Sequence, residues 1–144
     1  MAQASACFGA PFLALPPAVY ARLLREKIKQ HQPTCWLVNT GWTGGAFGVG
    51  HRMEIAYSRA LLRAAISGQL DDVPTYHEPF FGLTVPTKCP GVPDKVMYPQ
   101  KTWKDQQGYE ETARDLAGRF RENFTKYAAS VEAEVLKAEP RRSA

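Results

Sequence analysis

A mixed α/β fold is what this sequence predicts, and three observations predict it. A short apolar run, Cys35 to Asn39, leads directly into a glycine-rich loop. A second run, His51 to Tyr57, alternates enough to be a strand and gives way to a helical pattern stopped by Gly68. Farther on, Tyr109, Ala113, Leu116, Ala117, Phe120 and Phe124 recur at helical spacing, the clearest periodic signal in the chain.

Residues 1–16 are apolar but short, and Gly9 and Pro11 interrupt any helix pattern, so they read as a piece of a larger core. Pro17 sits where a first helical turn tolerates it. Beyond it Tyr20, Leu23, Leu24 and Ile28 oppose the charged Arg25, Glu26, Lys27 and Lys29, which predicts an amphipathic helix over 17–31. After Pro33 the apolar run ending at Asn39 suits a buried strand. In the next helix Leu61, Leu62, Ala65 and Ile66 form the expected core face.

Residues 71–104 hold more than half of the chain's 11 prolines, with Phe80, Phe81, Leu83 and Val85 making at most one short strand. Disordered segments are poorer in aromatics, so this is an ordered loop that wraps around something. A helix follows over 106–127. The tail from 128 extends it to about Ala138 and then frays. No internal repeat is visible.

A chain of 144 residues, 44% hydrophobic and 22% charged, is globular and about the size of one domain, so one folded unit is expected. Its net charge of +4 hints at anionic ligands. The cations, however, are scattered among acids (Arg22, Arg25, Lys27, Lys29, then Arg114, Arg119, Arg121), which describes solvated helix faces and no nucleic-acid stripe. Cys7, Cys35 and Cys89 are odd in number and far apart, fitting neither a disulfide framework nor a zinc site. Free thiols in a reducing compartment are expected, with Cys7 and Cys35 inert in apolar surroundings. No apolar run approaches the roughly 20 residues of a membrane span. No signal peptide is apparent, and the closing Arg-Ser-Ala does not match the peroxisomal S-K-L address, so a cytoplasmic protein without a membrane partner is expected.

The loop Asn39-Thr-Gly-Trp-Thr-Gly-Gly-Ala-Phe-Gly-Val-Gly-His-Arg52 is the densest chemical signal. Gly45 to Arg52 has the first parts of a Walker loop, but His51 and Arg52 replace the lysine and hydroxyl that would reach phosphate and magnesium. As a pattern it suits a tight turn better than a phosphate cradle. His31, His51 and His77 have no partners at metal spacing. The adjacent Asp71 and Asp72 point apart in an extended chain. Trp36, Trp42 and Trp103 could stack on a base, although core packing is the commoner fate. Trp42 stands out because glycines flank it, and Arg52 because a guanidinium offers both a planar face for adenine and a donor fork for oxygens.

Five blocks then point to a family: Ser5–Phe12, Trp36–Gly45, Gly48–Arg52, Val85–Pro93 and the pair Thr102-Trp103. In order and spacing, from Ser5 to about Tyr127, they resemble the carboxy-terminal part of ATP-dependent phosphoenolpyruvate carboxykinase. The resemblance implies a mixed sheet with flanking helices, part of that family's nucleotide-binding C-terminal domain, with 128–144 as a tail. It implies a gluconeogenic reaction in which oxaloacetate and ATP give phosphoenolpyruvate, carbon dioxide and ADP, assisted by Mg2+ and Mn2+. By the same resemblance Arg52 and Met53 border the adenine, and Ser58 stands where the family usually has Thr. His51 takes the place of the usual Lys, exchanging a permanent charge for a titratable one. The family's P-loop, metal ligands, catalytic Lys and oxaloacetate-binding residues fall before Ser5, so no catalytic or metal-binding residue is assigned here and the chain alone is expected to be inactive. Edge strands and apolar faces are expected to lie exposed. The alternative is a noncatalytic nucleotide-binding or interaction module derived from the same fold.

Overall fold

The computed structural model describes residues 14–140; Ser5–Phe12, Cys7 and the terminal Arg-Ser-Ala lie outside the described residues. Helix α1 runs Pro17–His31, with proline in the first turn where its missing N–H costs nothing. It stops because Gln32 turns left-handed at φ 47°, its N–H donating to Ile28 O and its Nε2 to Lys29 O (2.9 Å). Pro33 follows and disfavours further helix.

The chain then differs from expectation. Cys35 to Asn39 forms no strand, and Leu37 is 86% exposed. A strand needs a neighbour for its ladder, and among the described residues none pairs with this run. The first strand among the described residues is instead β1, Trp42–Thr43, paired antiparallel with β2, His51–Arg52. The run expected to remain a strand through Tyr57 becomes helix α2, Ile55–Ile66. Gly68, at φ 74°, follows its end.

The face of α2 is also rotated from the expected one. Ala64 is buried, and Tyr57, Ala60, Leu61 and Ala65 pack around it, while Leu62 is exposed and Ile66 is 85% exposed. Small side chains at helical spacing let the helix approach its neighbours closely. Those neighbours are Leu70, just ahead of the proline-rich segment, and Cys89, Val92 and Met97 within it, which form one cluster with Ala64. The segment is ordered, as expected, but holds two short strands where at most one is predicted, because β4 needs a partner and β3 supplies it. β3, Thr75–His77, pairs antiparallel with β4, Thr84–Pro86. A 3-10 turn at Asp94–Met97 and the short helix α3, Pro99–Thr102, complete it. Among the described residues, helices therefore mix with two small antiparallel sheets.

Helix α4, Gln106–Ala128, matches its predicted span closely. Its buried residues are Ala113 and Ala117, while Leu116 is exposed. The helix does not extend to Ala138; it breaks, and α5 occupies Ala133–Lys137.

Two compact units emerge. One holds α1, the end of α4 from Phe120, and α5. There the Arg25 guanidinium forks onto the carboxylates of Glu132 and Glu134, a surface arrangement of modest energetic weight. The other runs Trp36–Arg119 and contains both sheets and the cluster around Ala64. No helix among the described residues is long and apolar enough to cross a membrane.

Within the larger unit Glu78 is 8% exposed, and its carboxylate accepts the N–H groups of Phe80 (3.1 Å) and Phe81 (2.6 Å). These charge-assisted bonds hold the β3–β4 turn. Phe80 packs on Tyr109 edge to face at 5.9 Å, and Trp103 meets the same ring at 5.6 Å. Burial, then the negative charge of Glu78, pushes the Tyr109 phenol up to about 12.

Two outcomes follow. Glu78→Ala leaves the Phe80 and Phe81 amides without their acceptor and costs about 1–3 kcal/mol, read from the urea midpoint. Because Tyr109 binds its proton more tightly folded than unfolded, its contribution is full below pH 10 and lost as pH rises toward about 12. Tyr109→Phe should flatten that part of the stability profile, as measured by denaturant titration across it.

Candidate functional site

The glycine loop is closed at its base by a single hydroxyl. Thr102 Oγ1 accepts from the Gly44 N–H (3.1 Å) and the Thr43 hydroxyl (3.2 Å), and donates to Pro99 O (2.6 Å). One lone side chain thus fixes the end of β1 to α3, nearly 60 residues away in sequence. Opposite, the Met53 N–H donates to Gly41 O at 2.9 Å, so both flanks of Trp42 are pinned.

Inside the loop the backbone folds tightly on itself. The N–H groups of Val49 and Gly50 both donate to Ala46 O, at 3.0 and 2.9 Å. A Cβ on Gly50 would lie 2.4 Å from Gly45 O and 2.6 Å from Thr43 O, so only glycine permits this approach. Gly48, at φ 90°, supplies a left-handed turn that other residues resist. Three amides, those of Gly44, Val49 and Gly50, are engaged within the loop and its anchor.

The residues singled out from sequence fall around this base. Arg52 ends β2, exposed and directly across from Trp42 in the pairing register. Met53 is half-buried and lines a cavity of about 240 Å3 together with Trp36, Asn39, Trp42, Thr43 and Met97. Ser58 lies in the first turn of α2, where its hydroxyl donates to Glu54 O at 3.3 Å. Neither Arg52 nor Ser58 lines that cavity. Apolar walls with a few polar groups suit a flat, partly polar ligand. Trp36 Nε1, in this wall, is buried with no hydrogen-bond partner among the described residues.

His51 is exposed and pairs with Thr43 across the strands, and a side chain on Gly44 would meet its ring at 3.3 Å. His77 is exposed, its Nδ1 lying 3.3 Å from the Thr84 hydroxyl. Cys35 is exposed rather than enclosed by apolar neighbours, because the run it opens has no partner strand. Cys89 is buried in the central cluster, and burial pushes its thiol up. Among the described residues no three His, Cys, Asp or Glu side chains are placed to hold a metal ion. Sequence reasoning missed Glu78 and the anchoring role of Thr102. A signal for the first existed in Glu78-Pro-Phe-Phe-Gly82, where a carboxylate precedes a turn.

Comparison with known proteins agrees with the resemblance noted above. A family model described as phosphoenolpyruvate carboxykinase matches residues 1–95. The chain is 56% identical over 134 residues to phosphoenolpyruvate carboxykinase (ATP) of Pelobacter propionicus, covering 93% of the chain and 25% of that protein. It is 55% identical over 137 residues to the Thermus thermophilus protein of the same name, covering 95% of the chain and 26% of the relative. For the Geobacter metallireducens protein the identity is 58% over 131 residues, with 91% and 25% covered. The chain spans about a quarter of the length of these curated relatives. With a family match over most of its length and this level of identity throughout, the chain belongs to the ATP-dependent phosphoenolpyruvate carboxykinase family.

Proposed function

We propose that this chain is the carboxy-terminal, adenine-nucleotide-binding part of a carboxykinase nucleotide-binding domain, spanning 1–144. Its reaction is the conversion of oxaloacetate and ATP to phosphoenolpyruvate, carbon dioxide and ADP. Arg52, Met53 and Ser58 border the adenine and ribose. Mg2+ and Mn2+ serve the phosphoryl transfer through ligands outside this chain. The partners are ATP, ADP, oxaloacetate and phosphoenolpyruvate, in the cytoplasm, with no nucleic acid.

The observation that carries this reading is the state of the loop. Its amides at Gly44, Val49 and Gly50 are already engaged, so they do not form the ring of free N–H donors that cradles a triphosphate. What the loop does present is an arginine, a tryptophan and an apolar cavity beside Met53. Those groups suit a base and a sugar. Exposed Leu37, Val38, Ile55 and Ile66 support the second half of the reading, since such apolar surface suits contact with more protein.

Complementation tests it. The chain is co-expressed with the preceding three quarters of the Thermus thermophilus relative, and oxaloacetate-dependent ADP release is measured. Neither piece alone should turn over, and the pair should. In the reconstituted enzyme Arg52→Ala should raise the KM for ATP by about tenfold or more, as expected for loss of a charge-assisted contact. Turnover by this chain alone would overturn the proposed division of labour. ATP binding without any complementation would favour the noncatalytic module.

The loop yields a second expectation. Gly50→Ala forces Gly45 O and Thr43 O apart and should weaken ATP binding severalfold, whereas Gly41→Ala, whose Cβ would meet only Asn39 Oδ1 at 3.4 Å, should leave it unchanged. Calorimetric titration of the two variants with ATP decides this.

A further inference from the structure

We infer that Trp42 stacks on the nucleotide base and sets a preference for aromatic-base nucleotides over bare polyphosphate. The inference rests on the nucleotide-binding reading above and adds a residue to it. Trp42 and Arg52 are register partners in the β1–β2 pair. Residues directly opposite in an antiparallel pair project to the same face, with Cβ atoms about 4.5–5.5 Å apart. The two side chains therefore leave the backbone on the same face of the pair. Trp42 also lines the cavity that Met53 lines. One side chain joins the two residues that the family resemblance places at the adenine.

Trp42 is 47% exposed, although the backbone on both sides of it is fixed through Thr102 and Gly41. Its contact with Phe47 is edge to face, at 5.3 Å and 82°, which occupies at most one face of the indole. Phe47 itself is 85% exposed, so the pair forms an aromatic projection without a covering layer of its own. A large flat ring, held by pinned backbone and open on a face, loses little freedom when a second flat ring settles on it. The neighbouring guanidinium supplies charge to sugar or phosphate oxygens, which a ring cannot.

The experiment uses the full chain with two probes, ATP and inorganic tripolyphosphate, which carries the charge without the base. Binding is measured calorimetrically for the native chain and for Trp42→Ala, Trp42→Phe and Arg52→Ala. Trp42→Ala should weaken ATP binding about tenfold, in the range of a lost stacking contact, and Trp42→Phe should restore most of it. Tripolyphosphate binding should be the same in all three Trp42 forms. A measurement on the native chain covers the case in which Trp42→Ala fails to fold: the indole N–H resonance absent from Trp42→Phe should move with ATP and stay still with tripolyphosphate. If ATP binds through Arg52 while that resonance and the Trp42→Ala affinity are unchanged, the stacking role is overturned and the nucleotide reading survives. If the native chain binds no ATP, that reading fails and the stacking role falls with it.

Discussion

The larger unit depends on one threonine hydroxyl. Thr102 Oγ1 has one proton and two lone pairs, and all three are used: the proton on Pro99 O, the lone pairs on Gly44 N–H and the Thr43 hydroxyl. A β1–β2 pair of only two residues per strand cannot hold register by itself. Fixing one end of it to α3 supplies what the ladder lacks. The proline-rich segment therefore serves the glycine loop directly, by delivering Thr102 to the loop's base. Without that tie, the positions of Arg52 and Met53 would be set by two short strands and the bond from Met53 N–H to Gly41 O.

The same segment, with Leu70 just before it, builds the core. Leu70, Cys89, Val92 and Met97 are buried against the alanine face of α2, and the Tyr76 hydroxyl donates to Met97 O at 2.9 Å from β3. Prolines limit how many conformations such a connection can sample, which lowers the entropy lost when it orders. Glu78 completes the arrangement by holding the turn between β3 and β4 with a buried carboxylate. That charge has a cost in a region lined by Tyr76 and Tyr109, and the turn's amides offset it.

What could be read from the residues divides along a physical line. Helices α1 and α4 were legible because a helix satisfies its own backbone, so periodicity and a terminal proline locate it without knowledge of the rest of the chain. The strand expected over Cys35 to Asn39 was not, because a strand exists only with a partner, and apolar composition does not supply one. The face of α2 was misjudged for a related reason. Size favoured Leu62 and Ile66, but close packing selected Ala60 and Ala64 beside the expected Leu61 and Ala65. At the site, the glycines and Arg52 stood out by pattern, and Thr102 was visible only as part of a family block. Its role is a contact across nearly 60 residues, which no local pattern encodes.

The loop's chemistry turns on where its amides point. A phosphate-binding loop works by leaving successive N–H groups free and convergent, with a lysine to reach the outer phosphates. Here Val49 and Gly50 direct theirs to Ala46 O, and Gly44 directs its own to Thr102. The glycines are thus needed for backbone approach, as the 2.4 Å contact that a Cβ on Gly50 would make requires. Those three amides are closed to a ligand, and the side chains at the loop's base are open to one. Those side chains are an indole, a guanidinium and a thioether, which match a flat heterocycle and a sugar better than a chain of phosphates. Glycine density alone is ambiguous between the two designs; the direction of these three N–H groups favours the one that works through side chains.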